Sequence, residues 1–359
     1  MILEWIKSFL LAPMLGAYFV VHPNIETSVS PYPGDSVDDM AIWVNETDPT
    51  KSLILVTLKG SNQKPVKETG LLVYSLDGEQ VQFLPGGTPN NIDIRYLNNR
   101  LDNTTGEVIA VIHWFSGDVT LHSIDSETLK IATIDHERLI SGVPKLAGIC
   151  LYQAPTNGTI YYIVTGKEGD VALFLIEPGL QSHRLISRFT LESGTEGCAV
   201  DDNRQALYVA EESTGVWRFD LKKNTLESPQ LVAKTGFFEP LTEDVEGITL
   251  YASNDSEGYL FISSQGNDEY AVIDRASHAH IANFSITESI DLDKKIDGTT
   301  HTDGIDLTTA NLGLEFPSGV FIAQDDSNTG GNGDEKLNQN LKLIPLDKIL
   351  NKIKQLEND

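Results

Sequence analysis

Apolar and polar positions alternate along this 359-residue chain in blocks, and the blocks recur. The clearest block is LTEDVEGITLY (241–251), in which two carboxylates, Asp244 and Glu246, precede Gly247 and a short apolar strand. Glu196-Gly197 opens a second copy (EGCAVD) and Asp303-Gly304 a third (DGIDL). Ala147-Gly148 opens a fourth (AGICLY) without the acid. The stretches from Asn91 (NIDIRY) and from Asp39 (DMAIWV) read as more divergent copies. Successive copies lie about 49 to 57 residues apart, a period that belongs to propellers and solenoids.

Each copy is followed by a second apolar run that ends in a polar turn, and then by a third. The second runs are LILVTLKG (53–60), VIAVIHWFSG (108–117), YYIVTGKEG (161–169), LYVAEESTG (207–215), YLFISSQGN (259–267) and VFIAQDD (320–326). Six copies of three or four strands predict an all-β fold, a six-bladed β-propeller. Radial repetition brings equivalent residues together around one axis, so an acid repeated in register becomes a ring of carboxylates in space.

The ends of the chain do not follow the repeat. Phe9 to Val21 (FLLAPMLGAYFVV) is an apolar run too short to span a membrane and of the length found in a signal peptide. Residues 1–21 are therefore read as a signal peptide or N-terminal hydrophobic segment, and 22–359 as one propeller domain, exported to the periplasm or the medium. Asn24 to Ser30 is expected to close the ring against the last blade. The spacing of Leu346, Ile349, Leu350, Ile353 and Leu356 predicts a short C-terminal helix packed on the outside. Cys150 and Cys198 fall on innermost strands of neighbouring blades at opposite parity, which sends their side chains to opposite faces and predicts no disulfide.

Charge then narrows the chemistry. With 52 acidic against 26 basic residues the net charge is −26, which repels nucleic acid and anionic membrane. No Cys/His zinc spacing, phosphate-binding glycine loop or Gly-x-Ser-x-Gly elbow occurs. Asp38, Asp39, Asn91, Asp93, Glu196, Glu212, Asp244, Glu246, Gln265, Asp297 and Asp303 instead fall at strand ends or in turns of matching repeats. These are hard oxygen ligands, the kind Ca²⁺ takes six to eight at a time. Several Ca²⁺ ions among them would invert the sign of the site and let it hold a polyanion. Lys59, Lys64, Lys67, Arg95 and Lys167 are sparse cations among the acids.

These stretches resemble the β-propeller phytases, the calcium-dependent alkaline phytases, over roughly residues 24 to 350. The resemblance rests on DSVDDMAIW (35–43), NNIDIRY (90–96), VTGKEG (164–169), TEG (195–197), AEE (210–212), DVEG (244–247), SSQGN (263–267), TDGID (302–306) and AQDD (323–326), in order. It implies hydrolysis of phytate, or calcium-phytate, by direct attack of a metal-bridged water on phosphorus. It implies Asp39 as a structural-calcium ligand and Asp38, Glu196, Glu212, Asp244, Glu246, Gln265 and Asp303 around catalytic calcium. Lys167 and Glu168 would stand at the scissile phosphate, Glu168 also facing calcium, and Asp297 would be a further ligand. A monomer is expected.

The chain also departs from that pattern. His113-Trp114-Phe115 stands where the family offers an arginine to phosphate, and Ala147 where it has a tyrosine. The turn LKGSNQKPVKETG (58–70) is expanded, so either Lys59 or Lys67 could take the phosphate-binding role. The readings that stay open are a phosphomonoesterase acting on phytate, a non-catalytic or weakened calcium-binding propeller, and, less well supported, a calcium-dependent lactone hydrolase.

Overall fold

The structure is a computed structural model that describes residues 16–60, 68–97, 106–135, 137–289, 295–329 and 337–358. Six antiparallel sheets succeed one another along the chain, with innermost strands Val37–Trp43, Pro89–Leu97, Leu146–Gln153, Thr195–Asp201, Val245–Ala252 and Ile305–Thr308. These define blades 1 to 6, and each blade runs outward in sequence order except for the outermost strands of blades 5 and 6, which come from the N-terminal segment. The predicted six-bladed propeller is the observed one.

Two-sided burial explains why the strands read as unbroken apolar runs. Leu53–Leu58 (LILVTL) is buried throughout. Leu53 and Leu55 pack with Ile92 and Ile109 of blade 2, whereas Ile54, Val56 and Leu58 pack with Ile322 and Leu343 of blade 6. Alternate residues of one strand thus belong to two different cores. Among the described residues there are six such clusters, one between each pair of neighbouring blades.

The ring is closed by the N-terminal segment. Ile25–Glu26 pairs antiparallel with Asn340–Pro345 as the outermost strand of blade 6. Ala17–Val21, within the apolar run, adds a parallel strand to the outer edge of blade 5. Residues 1–15, the rest of the predicted leader, lie outside the described residues. The C-terminal helix Leu346–Asn358 buries Leu346, Ile349, Leu350 and Ile353 against Phe19, Phe284 and Phe321.

One expectation is corrected here. Cys150 and Cys198 form a disulfide, with Cα atoms 6.0 Å apart, within the ordinary span for such a bond. Strand parity holds within each sheet but does not describe how two sheets face each other. In a propeller, consecutive blades meet through opposite faces. Cys150 packs in the cluster between blades 3 and 4, and Cys198 lies against that cluster from the other side. Opposite parity therefore turns the two sulfurs toward each other. The bond joins residues 48 apart in sequence, for which loop entropy gives roughly 4 kcal/mol of stabilisation. The Cys150→Ser/Cys198→Ser double variant should lose up to about that amount in urea unfolding. An unchanged midpoint would show that the bond constrains nothing.

Candidate active site

A backbone irregularity common to the blades builds the site. In blades 1 to 5 the innermost strand carries one extra residue relative to its partner, between Val37 and Met40, Pro89 and Ile92, Leu146 and Ile149, Thr195 and Cys198, and Val245 and Ile248. Such a bulge bends the strand and re-aims side chains. The first residue inside it is Asp38, Asn90, Ala147, Glu196 or Glu246, and Asp303 holds the same place ahead of Ile305 in blade 6.

The second bulge position is Gly148, Gly197, Gly247 or Gly304 in blades 3 to 6, for a steric reason. A Cβ on Gly148 would lie 1.9 Å from the Glu196 carbonyl oxygen, and one on Gly197 would lie 2.2 Å from that of Glu246. The acid-glycine phrase is thus the point where neighbouring backbones touch. In blades 1 and 2 the same position holds Asp39 and Asn91. Asp39 Oδ2 accepts the Ile92 amide at 3.2 Å, and Asn91 Oδ1 accepts the Ile149 amide at 3.0 Å. The divergent copies therefore align one residue earlier than their opening at Asp39 and Asn91 suggests. Without a glycine the phrase had no visible register.

The acids gather in a cavity of about 350 Å³ at one end of the ring. Asp38, Lys59, Lys167, Glu196, Glu212, Asp244, Glu246, Gln265 and Asp303 line it, as the repeat predicts. Asp35, Trp114, His301 and Asp326 line it too, which the repeat did not reveal. Asn90 was also missed. Fully buried, its Nδ2 donates to Asp38 Oδ2 at 2.9 Å and Glu196 Oε1 at 3.1 Å, bridging two carboxylates. Its blade position would have identified it had the register been visible.

Other candidates lie elsewhere. Asp39, Asn91, Asp93 and Arg95 line a second cavity of about 380 Å³ further along the axis. There Arg95 pairs with Asp93 and with Asp202, and Asp93 also accepts the Leu151 amide at 2.7 Å. Asp306, in the same cavity, accepts the Ile42 amide at 2.9 Å, and burial pushes its carboxyl up to about 7. These groups bracket the strands of adjacent blades. Glu168 is exposed and pairs with Lys145 at 3.3 Å. Asp297 pairs with the fully buried Lys342 and accepts from Thr329. Lys64 and Lys67 lie outside the described residues. His113 is buried and bonded to Thr120 Oγ1 at 2.9 Å, so that Trp114, not His113, faces the acid cavity.

Electrostatics in the acid cavity are unbalanced. Among the described residues eight carboxylates line it against the two ammonium groups of Lys59 and Lys167. Lys59 pairs with Asp38 and with Asp35 at 2.8 Å, and Lys167 with Glu196 and with Glu212 at 2.7 Å. Burial pushes Asp38 up to about 7 against the pull of Lys59. Burial, then the neighbouring carboxylate, holds Glu246 and Asp303 well above the usual carboxylate range, the neighbours being Glu196 and Asp38 respectively. For Glu196 burial acts the same way and is the largest single influence, but the Lys167 ammonium, a hydrogen bond with Glu246 and the Lys59 ammonium together outweigh it, and the carboxyl sits below its ordinary value. The cavity accordingly favours protons, or another cation, on its acids.

The donor set suits a divalent ion. Asp35, Asp38 and Asp303 bring ligand oxygens within 4.8 Å of one another, as do Glu196, Glu212 and Glu246. Glu246 Oε2 is buried and has no hydrogen-bond partner. Asp244, on the same rim, holds a left-handed backbone (φ 75°), strain of a kind that concentrates at functional sites.

Fold and site together define a propeller enzyme with an acid-lined face. The phytase family pattern matches residues 14–359. The 3-phytase of Bacillus subtilis (strain 168) is 36% identical over 341 residues, 92% of this chain and 85% of that protein. The chain belongs to the phytase family and is a phosphoric monoester hydrolase. Among solved structures, an auxiliary nutrient binding protein from Bacteroides thetaiotaomicron shares the fold at TM-score 0.53 and 12% identity, over 90% of this chain and 76% of that one. A functionally unknown protein from Desulfotomaculum acetoxidans gives TM-score 0.46 and 14% identity, over 68% and 71%.

Proposed function

We propose that the chain hydrolyses phosphate monoesters of phytate in a calcium-dependent reaction, by direct attack of water on phosphorus. The observation that carries the calcium reading is the buried, unpartnered Glu246 Oε2 beside Glu196 and Glu212. Lys167 brings one positive charge to Glu196 and Glu212, and three carboxylates that close stay ionised together only with further cationic charge among them. Asp35, Asp38 and Asp303 would hold a second ion, with Asp244, Gln265 and Asp326 at hand on the same wall. Calcium, when bound, supplies Lewis-acid neutralisation of phosphate oxygens and a lowered water pKa.

The chain's own residues do the rest. Lys59 and Lys167 are held in the wall by their acids and present ammonium groups to a phosphate entering the cavity. Asn90 fixes the Asp38 and Glu196 carboxylates relative to each other, which orients the ligand set before substrate arrives. Asp39, Asn91, Asp93 and Arg95 keep adjacent blades in register beneath that set, and Asp39 stays a candidate ligand for a structural ion. Glu168 follows Lys167 in the turn after the strand Ile160–Gly166, is paired with Lys145 outside the cavity wall, and stays a candidate for the scissile phosphate.

Export to an oxidising compartment is part of the reading. The Cys150–Cys198 bond supports it, because such bonds persist outside the cytosol. No described helix is long and apolar enough to cross a membrane. Calcium-phytate is the proposed substrate form and a monomer the proposed state.

Phosphate release from phytate, with calcium and with chelator, tests the reading from about pH 6 to about pH 9. Release that persists in chelator overturns the metal requirement, and calcium binding without release leaves a binding propeller. Binding should also depend on pH with a definite sign. Asp38 holds its proton below about 7, and the ion must displace it, so calcium affinity rises as pH climbs through that value. Calorimetry should give at least about tenfold tighter binding at pH 8 than at pH 6, with protons released. A flat profile would mean that these acids are not the ligands.

A further inference from the structure

Blade 2 supplies the acid cavity with an indole and no charge. Every other described side chain on that wall is a carboxylate, an ammonium, a glutamine or a histidine. Trp114 follows His113 at the end of the strand Gly106–His113, in the turn that leads to Asp118–Asp125. The turn is fixed by its backbone. The Trp114 amide donates to Thr88 O at 3.1 Å, the Gly117 amide to His113 O at 2.9 Å, and the Ser141 amide to Gly117 O at 3.2 Å. Trp114 is 39% exposed, and the ring of Phe115, 84% exposed, stacks beside it with centroids 6.2 Å apart and planes at 24°. Neither ring belongs to the core between blades 1 and 2 or to that between blades 2 and 3. Single exposed apolar residues are ordinary on protein surfaces. A stacked pair on a turn tethered by its backbone, with one of the rings lining a strongly charged cavity, is a different case.

The electronics of an aromatic face decide what it can meet. Its quadrupole is negative, so it repels a phosphate dianion and favours C–H bonds or another ring. A substrate seated with its phosphate among the acids would therefore turn ring carbons, not a second phosphate, toward blade 2. We propose that Trp114 is a specificity-determining residue for the phosphatase reaction, stacking on the face of a six-membered ring that carries the scissile phosphate. The proposal rests on the phosphomonoesterase reading of the same cavity and names what that cavity selects. It takes cyclic phosphate monoesters, flat or saturated, in preference to open-chain ones. Phe115 braces the indole and extends the apolar shelf outward.

The test compares three probes with calcium present: 4-nitrophenyl phosphate (a flat ring), myo-inositol monophosphate (a saturated ring) and glycerol phosphate (no ring). Each is measured with the wild type, Trp114→Ala and Trp114→Phe, and only variant-to-wild-type ratios within one substrate are compared. Trp114→Ala should lower kcat/KM by about tenfold on ring substrates, the scale of one lost stacking contact. It should change glycerol phosphate turnover by less than about twofold, and Trp114→Phe should restore most of the loss. A loss confined to 4-nitrophenyl phosphate assigns the site to aryl esters, and a loss on both rings includes cyclitols. Equal losses on all three substrates, or none, overturn the proposal. If the wild type releases phosphate from none of the probes and none from phytate, the phosphatase reading itself fails. Calorimetric binding of the same probes then tests Trp114 alone, and equal affinity of wild type and Trp114→Ala for the ring phosphates overturns it.

Discussion

Glu246→Gln should lower phosphate release from phytate by at least a factor of about a hundred, the scale of one lost transition-state electrostatic contact, and leave the propeller folded. Glutamine keeps the size and shape of glutamate and removes only its charge. The residue is buried at the bulge of blade 5, one carboxylate oxygen has no partner, and Glu196 and Glu212 stand within ligand distance. Its carboxyl is held well above the usual range, chiefly by burial and then by Glu196. Ionising it without a cation therefore costs stability, a cost present at high pH and absent once the carboxyl is protonated. The neutral variant escapes that cost, so in chelator near pH 8 it should melt no lower than wild type, while in calcium the wild type gains more from the ion. Asp255→Asn, in the turn at the opposite end of the same strand, is the control and should leave activity unchanged. Full activity in Glu246→Gln, or equal loss in the control, would remove Glu246 from the metal site.

Much of this architecture could be read from the chain because propellers repeat their physics. Strands buried on both faces read as unbroken apolar runs, and the acid-glycine phrase marked the start of the innermost strand in blades 4 to 6. Glu196, Glu246 and Asp303 could be placed from that phrase alone. Asp38 came with them by resemblance, and Asn90 was lost because its blade carries Asn91 where blades 3 to 6 carry glycine. The disulfide was misjudged because strand parity describes one sheet, whereas Cys150 and Cys198 meet across two. His113 and Trp114 are adjacent in sequence, and only the turn tied to Thr88 decides that the imidazole goes inward and the indole to the cavity. The partners of Asp297 and Arg95 could not be foreseen for a similar reason. Lys342 reaches Asp297 from the strand Asn340–Pro345 and Asp202 reaches Arg95 from blade 4, and no local pattern announces a buried ion pair.

Gly197→Ala should be among the most damaging single changes in the molecule, although it adds one methyl group and touches no charge. Gly197 needs no left-handed backbone, so alanine is conformationally acceptable there and the objection is purely steric. Its Cβ would sit 2.2 Å from the carbonyl oxygen of Glu246, 2.8 Å from the carbonyl carbon and 2.9 Å from Gly247 Cα. All three are backbone atoms, with no flexible side chain to yield. Relief requires blades 4 and 5 to separate where the Glu196 and Glu246 carboxylates converge. Overpacking typically costs about 1 to 3 kcal/mol, and a clash between two main chains belongs at or beyond the upper end. The separation would also pull apart the Glu196, Glu212 and Glu246 oxygens, so calcium affinity and phosphate release should fall together with stability. Gly142→Ala supplies the contrast. Gly142 has φ 65° and open space where its Cβ would go, so alanine there meets only the left-handed penalty of about 1 to 2 kcal/mol and should spare activity. Urea unfolding, calorimetry with calcium and phytate turnover on both variants would settle the matter. If Gly197→Ala kept wild-type stability and activity, the contact between neighbouring backbones could not be what the acid-glycine phrase encodes.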